Sequence, residues 1–216
     1  VTAINRQGLS VGAADAILND ADQIDRSYLA DGEAVGERLF AFDLLEIDNA
    51  DIRETPYSER LAHLENLDFD DCSIVVVETA RRAEEKQQLY DRLKVSGAEG
   101  IVFKKHSAPY AAGRPASGGD QLKFKFYATA SVIVTRINDK RSVAVAVTDG
   151  EDRIDVGNVT IPPNKDIPEV NSIIEVRYLY AYKGGSLYQP TYLHVRDDIR
   201  LQDCSVSQLK YKKETA

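Results

Sequence analysis

The chain carries two different patterns of apolar positions, which meet near residue 128. Before that point, residues 73–78 form a β-branched run that is typical of a buried strand. Residues 80–95 follow with leucines one helical turn apart, which predicts a helix. Residues 100–104 and 121–127 are two further strand-like runs. The first part of the chain is therefore predicted to mix helices and strands.

One more helix is predicted ahead of these elements. Thr55 and Pro56 suit the cap and the first position of a helix. The leucines that follow recur at helical spacing and should face a core; they are Leu61, Leu64 and Leu67.

After residue 128 the pattern indicates strands. Valine alternates with other residues at positions 143, 145 and 147, which is the period of a strand. The strand-like runs cover residues 131–137, 142–148, 153–161, 172–182 and 187–196.

Turn-forming pairs separate these runs, because Asn, Asp and Gly tolerate the positive φ of tight hairpins. The pairs are Asn138-Asp139, Asp149-Gly150 and Gly184-Gly185. Five short strands in about 70 residues favour a small closed or partly closed barrel. The oligonucleotide-binding (OB) barrel is the commonest nucleic-acid example of this kind. A fragment of a β-sandwich fits the same pattern.

Composition and charge narrow the class of protein. Hydrophobic residues make up 43% of the chain and charged residues 29%, which is ordinary for a globular protein. The net charge of −8 argues against binding nucleic acid by bulk electrostatics. The charge is uneven, however, with −12 in residues 1–100 and +4 in residues 101–216. The second part can follow a phosphate backbone, although ordinary solvated surface charge gives the same count.

Four short elements of chemical interest stand in one order along the chain. They are Asp31-Gly32-Glu33, Phe42-Asp43-Leu44-Leu45, the run from Glu99 to Lys105 (EGIVFKK), and Lys123-Phe124-Lys125. Each element alone is common in proteins, as a turn, a core aromatic, a surface acid or a solvated strand face. The ordered combination is much more specific than any member.

In this order and spacing the elements resemble nucleotidyltransferase motifs III, IIIa, IV and V of ATP-dependent DNA ligases. Arg196-Asp197-Asp198 resembles motif VI of that family, and residues 5–8 (NRQG) resemble the Arg-Gly turn that follows its motif I. The strands after residue 128 are similar to the family's C-terminal OB domain. The resemblance covers nearly the whole chain, from about Val1 to Asp203.

The resemblance implies a role for each element in handling ATP. Lys123 and Lys125 would project from one strand face onto the α-phosphate and take part in catalysis. Glu99 would hold the divalent metal and also be catalytic. Glu33 would bind the ribose hydroxyls or assist the metal, and Phe42 would stack on adenine.

It also implies residues that contact nucleic acid or the leaving group. Arg6, Lys104 and Lys105 would lie at the nucleic-acid backbone. Arg196, together with Asp198, would orient pyrophosphate. The cofactors implied are ATP, as AMP donor, and Mg²⁺ or Mn²⁺.

The chain departs from the family pattern in two places. Motif I is a Lys-x-Asp-Gly element whose lysine attacks the α-phosphate, and no lysine occurs here before Lys86. Lys86 and Lys94 lie in a predicted helix as surface positions. Ile199 stands where motif VI has lysine, and Arg200 follows it. The expectation is a chain that lacks the first strand of its nucleotidyltransferase domain and cannot complete a ligation cycle.

Other functions share most of these motifs. An RNA ligase or an mRNA capping guanylyltransferase is the nearest alternative, and the predicted barrel favours a DNA ligase over an RNA ligase. A non-catalytic nucleic-acid-binding protein derived from a ligase is an alternative of another class.

The predicted fold class is α+β, with a nucleotidyltransferase domain followed by a five-stranded OB barrel. The domains expected are residues 1–128, residues 129–205 and a frayed basic tail over residues 206–216. The expected protein is a monomer, cytoplasmic or nucleoid-associated, that acts on nicked double-stranded DNA in repair, replication or recombination. Since no apolar run approaches the length of a membrane span, no membrane is expected.

Overall fold

The structure, a computed structural model, describes residues 1–69, 72–112 and 119–213. The chain divides into two compact units. The first comprises Val1–Lys86 and Val102–Lys123, and the second comprises Gln87–Ile101 and Phe124–Ala216. Helices and strands both occur, as the predicted α+β class requires, and strands predominate. The division differs from the single boundary expected near residue 128, because residues 87–101 group with the second unit.

The first unit is built around one long strand. Its elements are α1 (Asp15–Gln23), β1 (Tyr28–Val35), β2 (Arg38–Ile47), β3 (Ala50–Asp51), α2 (Tyr57–Glu65) and β4 (Ile74–Val76). Strand β2 pairs antiparallel with β1 and with β3, and parallel with β4. The sheet therefore places β1 and β4 on either side of β2.

The core of the first unit lies where α2 packs on this sheet. Ala41 and Leu44 of β2 are fully buried. Leu61 and Leu64 of α2 are at most 2% exposed, which confirms the helical spacing. Leu67 faces the core as predicted, at 5% exposure, but lies beyond the end of the helix at Glu65. Burying one such side chain stabilises a fold by roughly 1.5–3 kcal/mol.

The start of α2 differs from the prediction. Thr55 is not its cap, because the Thr55 hydroxyl donates to the Ile52 carbonyl at 2.7 Å and closes the preceding turn. Pro56 precedes the helix without a side-chain cap. The first amides of α2 instead donate to carbonyls of residues 106 and 108, at 3.0 and 2.9 Å. A neighbouring segment thus satisfies the donors that a side-chain cap would otherwise satisfy.

The boundary between the units passes through three elements. They are α3 (Ala83–Ser96), β5 (Gly100–Lys104) and β6 (Gln121–Lys125), and β5 pairs with β6. Tyr90 of α3 packs on Phe124 and Phe126, with ring centroids 6.0 and 5.2 Å apart. This aromatic contact explains why most of α3 belongs to the second unit. At 14 residues α3 is the longest described helix, and none of the described helices could cross a membrane.

The second unit is dominated by one antiparallel sheet. Its strands are β7 (Ala128–Asn138), β8 (Ser142–Asp149), β9 (Asp152–Thr160), β10 (Ile173–Tyr178), β11 (Tyr180–Ala181), β12 (Leu187–Tyr188) and β13 (Thr191–Arg196). Five of them form a sheet in the order β13-β10-β7-β8-β9, and β11 pairs with β12 as a small ribbon. Among the described residues no ladder joins β9 to β13, so hydrogen bonds do not close the expected barrel.

Strand β8 is buried on both faces. The alternation of valine predicted a strand but did not predict that both of its faces are buried. Val143, Val145 and Val147 are inaccessible and belong to the main core of the unit. Between them, Ala144 and Ala146 are also buried, at 3% and 2% exposure. The period-two pattern in β8 therefore alternates large with small side chains rather than apolar with polar ones.

The hairpin turns fall close to their predicted positions. Asn138 still pairs with Ser142, so the left-handed residues of that turn are Lys140 and Arg141, each with φ of 56°, rather than Asn138-Asp139. Gly150 and Gly185 adopt positive φ, as their predicted turns require.

The C-terminal segment is packed rather than frayed over its described part. Val206–Gln208 form a 3₁₀ helix, and Leu209 is buried at 7% exposure. The Ala181 amide of β11 donates to the Lys210 carbonyl, and the Lys212 amide donates to the Ala181 carbonyl. A single leucine in a lysine-rich stretch gives no core pattern, and backbone pairing leaves no signal in the sequence. Residues 214–216 of the predicted tail lie outside the described residues.

Gly100 gives a test of the β5–β6 pairing. A Cβ at this position would lie 2.2 Å from the Phe124 carbonyl oxygen and 2.9 Å from Lys125 Cα, both backbone atoms. Gly100→Ala should therefore lower the free energy of unfolding by about 1–3 kcal/mol, as overpacking does. Gly12→Ala is the matched control, since a Cβ there meets nothing within 4 Å. Urea denaturation followed by circular dichroism measures both, and equal midpoints would contradict this pairing.

Candidate functional site

In the first unit, the first two predicted elements lie side by side on β1 and β2. Glu33 pairs with Phe40, and Asp31 pairs with Asp43. The register shifts between Asp31 and Gly32, and a Cβ on Gly32 would approach the Phe40 carbonyl oxygen to 2.8 Å. Glycine is therefore required where β1 bends against β2. Glu33 is exposed at the end of β1.

A buried ion pair lies directly behind Phe42. Asp43 is inaccessible, and Arg60 of α2 is 1% exposed. The guanidinium donates to both carboxylate oxygens, with Arg60 Nε 2.8 Å from Oδ1 and Nη2 3.1 Å from Oδ2. Arg60 Nη1 also donates to the carbonyls of Thr55 and Ala108. This one side chain thus joins β2, the start of α2 and the segment after β5.

Lys104, the last residue of β5, approaches the same carboxylate. Its Nζ lies 3.2 Å from Asp43 Oδ2 and 3.0 Å from the Phe42 carbonyl oxygen. The ammonium also lies over two rings, 4.9 Å from the Phe42 centroid and 4.3 Å from the Tyr57 centroid. Burial lowers the pKa of Lys104, and the attraction of Asp43 opposes that shift. Lys104 therefore fixes both the backbone and the ring of Phe42.

Tyr110 completes the polar contacts in this part of the first unit. Its hydroxyl donates to Asp31 Oδ2 at 3.0 Å. Burial, followed by the charge of Asp31, raises the pKa of Tyr110 to about 12. The phenol is consequently a neutral donor at physiological pH and links the segment after β5 to β1.

The residues predicted at nucleic acid lie in three different settings. Lys104 is directed at Asp43 and the rings, with its side chain 12% exposed, a position that does not favour its predicted backbone contact. Lys105 is exposed and lies 3.3 Å from Asp120 Oδ1. Arg6 is exposed in a turn that Asn5 and Gly8 close, with φ of 77° at the glycine. The Arg-Gly turn is thus present, and contact with nucleic acid stays a prediction for all three.

In the second unit, the third and fourth elements meet through their backbones. The Phe126 amide donates to the Glu99 carbonyl at 2.9 Å, next to the close approach of Gly100 and Phe124. The Glu99 side chain is exposed. Lys125 Nζ donates to Gln189 Oε1 at 3.0 Å.

Lys123 and Lys125 are two residues apart on β6, so they share one strand face. Lys123 is exposed. The division of the chain assigns Lys123 to the first unit and Lys125 to the second.

Arg196, at the end of β13, is held by two carboxylates. Its Nε and Nη2 each lie 2.6 Å from an oxygen of Asp198, and Nη1 lies 3.2 Å from Glu175 Oε2. The Ser131 hydroxyl donates to the same Glu175 oxygen. The hydrogen bonds to Asp198 raise the pKa of Arg196, so the guanidinium remains charged. Arg196 and Asp198, predicted as a pair, are therefore in contact.

Possible metal ligands are dispersed. Among the described residues no group of three or more His, Cys, Asp or Glu side chains could hold an ion. Glu33 lies in the first unit and Glu99 in the second. Each offers one exposed carboxylate, which suits Mg²⁺ that keeps waters and binds substrate phosphates.

Arg60 was not predicted as a structural residue, although the sequence carries a signal for it. Arg60 lies three residues after Tyr57 and four before Leu64, on the apolar side of α2. An arginine in an apolar helical stripe requires a buried acceptor, because its charge cannot be left unpaired. Asp43 is that acceptor, but only the folded structure identifies it.

Arg60→Ala tests how far the first unit depends on this pair. Removing one partner leaves the Asp43 charge buried, so the free energy of unfolding should fall by about 3–5 kcal/mol. Arg26→Ala removes the solvent-exposed pair with Asp48 and should change stability little. Thermal unfolding of the two variants separates the cases, and similar losses in both would contradict a dominant role for the buried pair.

Comparison with known proteins identifies a matching family and several similar proteins. Residues 15–125 match the family described as ATP dependent DNA ligase domain. A probable DNA ligase of Mycolicibacterium gilvum is 33% identical over 99 residues, which cover 46% of this chain and 19% of that protein. A probable DNA ligase of Dictyoglomus thermophilum is 36% identical over 78 residues, which cover 35% of this chain and 13% of that protein. The matches thus cover about a fifth or less of these relatives.

Solved structures resemble the fold over most of the chain. A structure from a study of DNA binding with a minimal scaffold by Lig E DNA ligases has a TM-score of 0.65 at 18% identity, covering 91% of this chain and 86% of that one. A second, titled Pmar-Lig_PreS3, has a TM-score of 0.63 at 14% identity, covering 89% and 58%. At these identities the likeness concerns the fold alone.

Proposed function

The chain belongs to the ATP-dependent DNA ligase domain family, and from this premise we propose that it is the part of a DNA ligase that joins nicked, adenylated DNA. The observation that carries the proposal is the setting of Phe42. Lys104 lies on its ring and its carbonyl, and Glu33 lies on the neighbouring strand. An aromatic face and a carboxylate on adjacent strands suit the base and the ribose of a bound adenylate.

Phe42 is proposed to stack on adenine, with Lys104 as a residue that positions it. Lys104 restrains Phe42 at both the ring and the backbone, and Arg60 and Asp43 restrain Lys104 in turn. A ring held in one orientation loses little conformational entropy when a base binds. The buried ion pair would therefore contribute to nucleotide binding without touching the nucleotide.

Lys123, Lys125 and the two glutamates are proposed to act on phosphate. Phosphoryl transfer needs positive charge near the reacting oxygens, and lysines on one strand face supply it. Glu99 would hold Mg²⁺ or Mn²⁺ through its single carboxylate, together with waters and phosphate oxygens. Glu33 is proposed to bind the ribose hydroxyls or to assist the metal. The metal, when bound, would supply Lewis-acid stabilisation of phosphoryl charge.

Arg196 is proposed to bind pyrophosphate in the adenylation step of the ligase reaction. Its guanidinium now makes a two-point contact with Asp198, which has the geometry that a phosphate group would use. Pyrophosphate would replace Asp198 as the partner of the Arg196 guanidinium, while Glu175 keeps the guanidinium in place. The five-stranded sheet that carries Arg196 is proposed to be the OB domain.

The step open to these residues is the final one. The 3′-hydroxyl oxygen attacks the phosphorus of the adenylated 5′-phosphate, a phosphodiester bond forms, and AMP leaves with the electron pair of the broken bond. The hydroxyl proton passes to water. Residues 1–85 contain no lysine, so the nucleophile that the resemblance implies upstream of Arg6 is not among them.

Joining of pre-adenylated DNA tests this proposal. The chain with Mg²⁺ should convert a nicked duplex that carries 5′-AMP into a joined strand, resolved on a denaturing gel. The same nick with a plain 5′-phosphate and ATP should give no product. Absence of joining on the adenylated nick, with the protein folded, would overturn the proposal.

Lys125→Ala should slow this joining by about 10²-fold or more, because it removes a charge that stabilises the transferring phosphoryl group. Lys165→Ala is the matched control, since Lys165 is an exposed lysine of the same unit that has no proposed role. Single-turnover rates on the adenylated nick compare the variants. Equal rates for the two variants would exclude Lys125 from the reaction.

A further inference from the structure

Three tyrosines of the second unit form a compact stack on the β11–β12 ribbon. Tyr180 and Tyr188 are parallel, with centroids 4.8 Å apart and an interplanar angle of 15°. Tyr182 meets both rings edge-on, at 5.5 Å from Tyr180 and 6.0 Å from Tyr188. The rings therefore hold one another in fixed orientations.

The stack presents its outer ring to solvent. Tyr180 is 6% exposed and Tyr188 half-buried, whereas Tyr182 is 43% exposed. The ribbon turns at Gly185, with φ of 92°, so Tyr182 lies at the last position before the turn. Tyr182 is thus an exposed ring held edge-on against one buried and one half-buried ring.

The lysine-rich C-terminal segment runs directly beside this stack. The Ala181 amide donates to the Lys210 carbonyl at 2.7 Å, and the Lys212 amide donates to the Ala181 carbonyl at 2.8 Å. Buried Leu209 anchors the segment. Lys212 Nζ lies over the Tyr180 ring, 5.3 Å from its centroid. Backbone pairing thus fixes a positive charge against the aromatic stack.

The charge of this region is opposite to that of the chain. Residues 180–189 and 204–213 together contain four lysines and no carboxylate, in a chain of net charge −8; the lysines are Lys183, Lys210, Lys212 and Lys213. Burial, and to a smaller extent the charge of Glu99 in the loop before β5, raises the pKa of Tyr180. Burial lowers the pKa of Lys210, and the charge of Glu99 opposes that shift. Lys213 Nζ lies 3.5 Å from the Val95 carbonyl oxygen. Lys212 is the lysine placed on the stack itself.

We propose that the tyrosine stack and the segment beside it, which we call the tyrosine–lysine patch, bind an unpaired DNA strand. A base would stack on Tyr182, and Lys212 would neutralise a neighbouring phosphate. Lysines alone would suit any polyanion, but an exposed aromatic face next to them specifically matches a base joined to phosphate. A fully paired duplex keeps its base faces covered, so the patch selects unpaired nucleotides.

The proposal goes beyond the proposed function, because its ligand is an unpaired strand rather than the nicked duplex, and its test needs no ligation. Fluorescence anisotropy with a labelled oligothymidylate of about 12 nucleotides, within the site size of one OB-sized domain, measures binding by the full chain. Tyr182→Ala should weaken binding about tenfold or more, and Tyr182→Phe should retain it. Tyr127→Ala is the matched control, because Tyr127 is 42% exposed in the same unit but lies under Arg177. It should bind like the parent chain.

Lys212→Gln gives a second, independent measurement. It should weaken binding and reduce the slope of log affinity against log salt by about 0.7, the value for one phosphate contact on a single strand. Circular dichroism verifies that each variant is folded.

Two competitors decide between stacking and charge alone. An abasic strand of the same length and a fully paired duplex should each compete several-fold less well than oligothymidylate. Equal competition by either, or a folded Tyr182→Ala that binds normally, would overturn the proposal. Tyr182-dependent binding without any joining of adenylated nicks would leave this patch intact and remove only the proposed function.

Discussion

Asp43 is a carboxylate with no access to water, and the arrangement of the first unit follows from how its charge is neutralised. Arg60 forms the two-point contact, and Lys104 adds a second cation. The three residues come from β2, α2 and β5, and Arg60 also reaches carbonyls at the start of α2 and after β5. Such a cluster is costly to desolvate, so it contributes little to stability unless every partner is present. Its effect is to require these segments to assemble in one arrangement.

That arrangement connects packing to the proposed chemistry. Phe42 is adjacent to Asp43 in sequence, and Lys104 contacts both, so the residue that orients the buried carboxylate also orients the ring. Tyr110 reaches back to Asp31 on the neighbouring strand, next to Gly32 and Glu33. The exposed groups proposed to meet the nucleotide are thus attached to a buried network. The proposed nucleotide site therefore depends on buried residues that it does not itself include.

In the second unit, aromatic contacts organise the surface in a comparable way. Tyr90 packs on Phe124 and Phe126 and fixes α3 against the strand that carries Lys125. The tyrosine stack is coupled by backbone hydrogen bonds to the C-terminal lysines. Arg196 is similarly held between Glu175 and Asp198. In each case a cation or an exposed ring is held by a neighbouring residue, so these groups are preorganised for the ligands proposed.

Much of this protein follows from local sequence. The apolar face of α2 and the strands after residue 128 were predicted because spacing and residue type determine them. The motifs around Glu33, Phe42, Glu99 and Lys125 were identified by resemblance to the ligase family, and their roles stay predictions. The tertiary structure alone decided the partners. Arg60 pairs with Asp43, 17 positions away in sequence, and Lys104 contacts Phe42 rather than facing outward. Leu209 is buried and anchors a lysine-rich C-terminal segment. Periodicity reports which face of an element is apolar, but it cannot report which distant charge or backbone edge will lie opposite. That depends on how the elements pack.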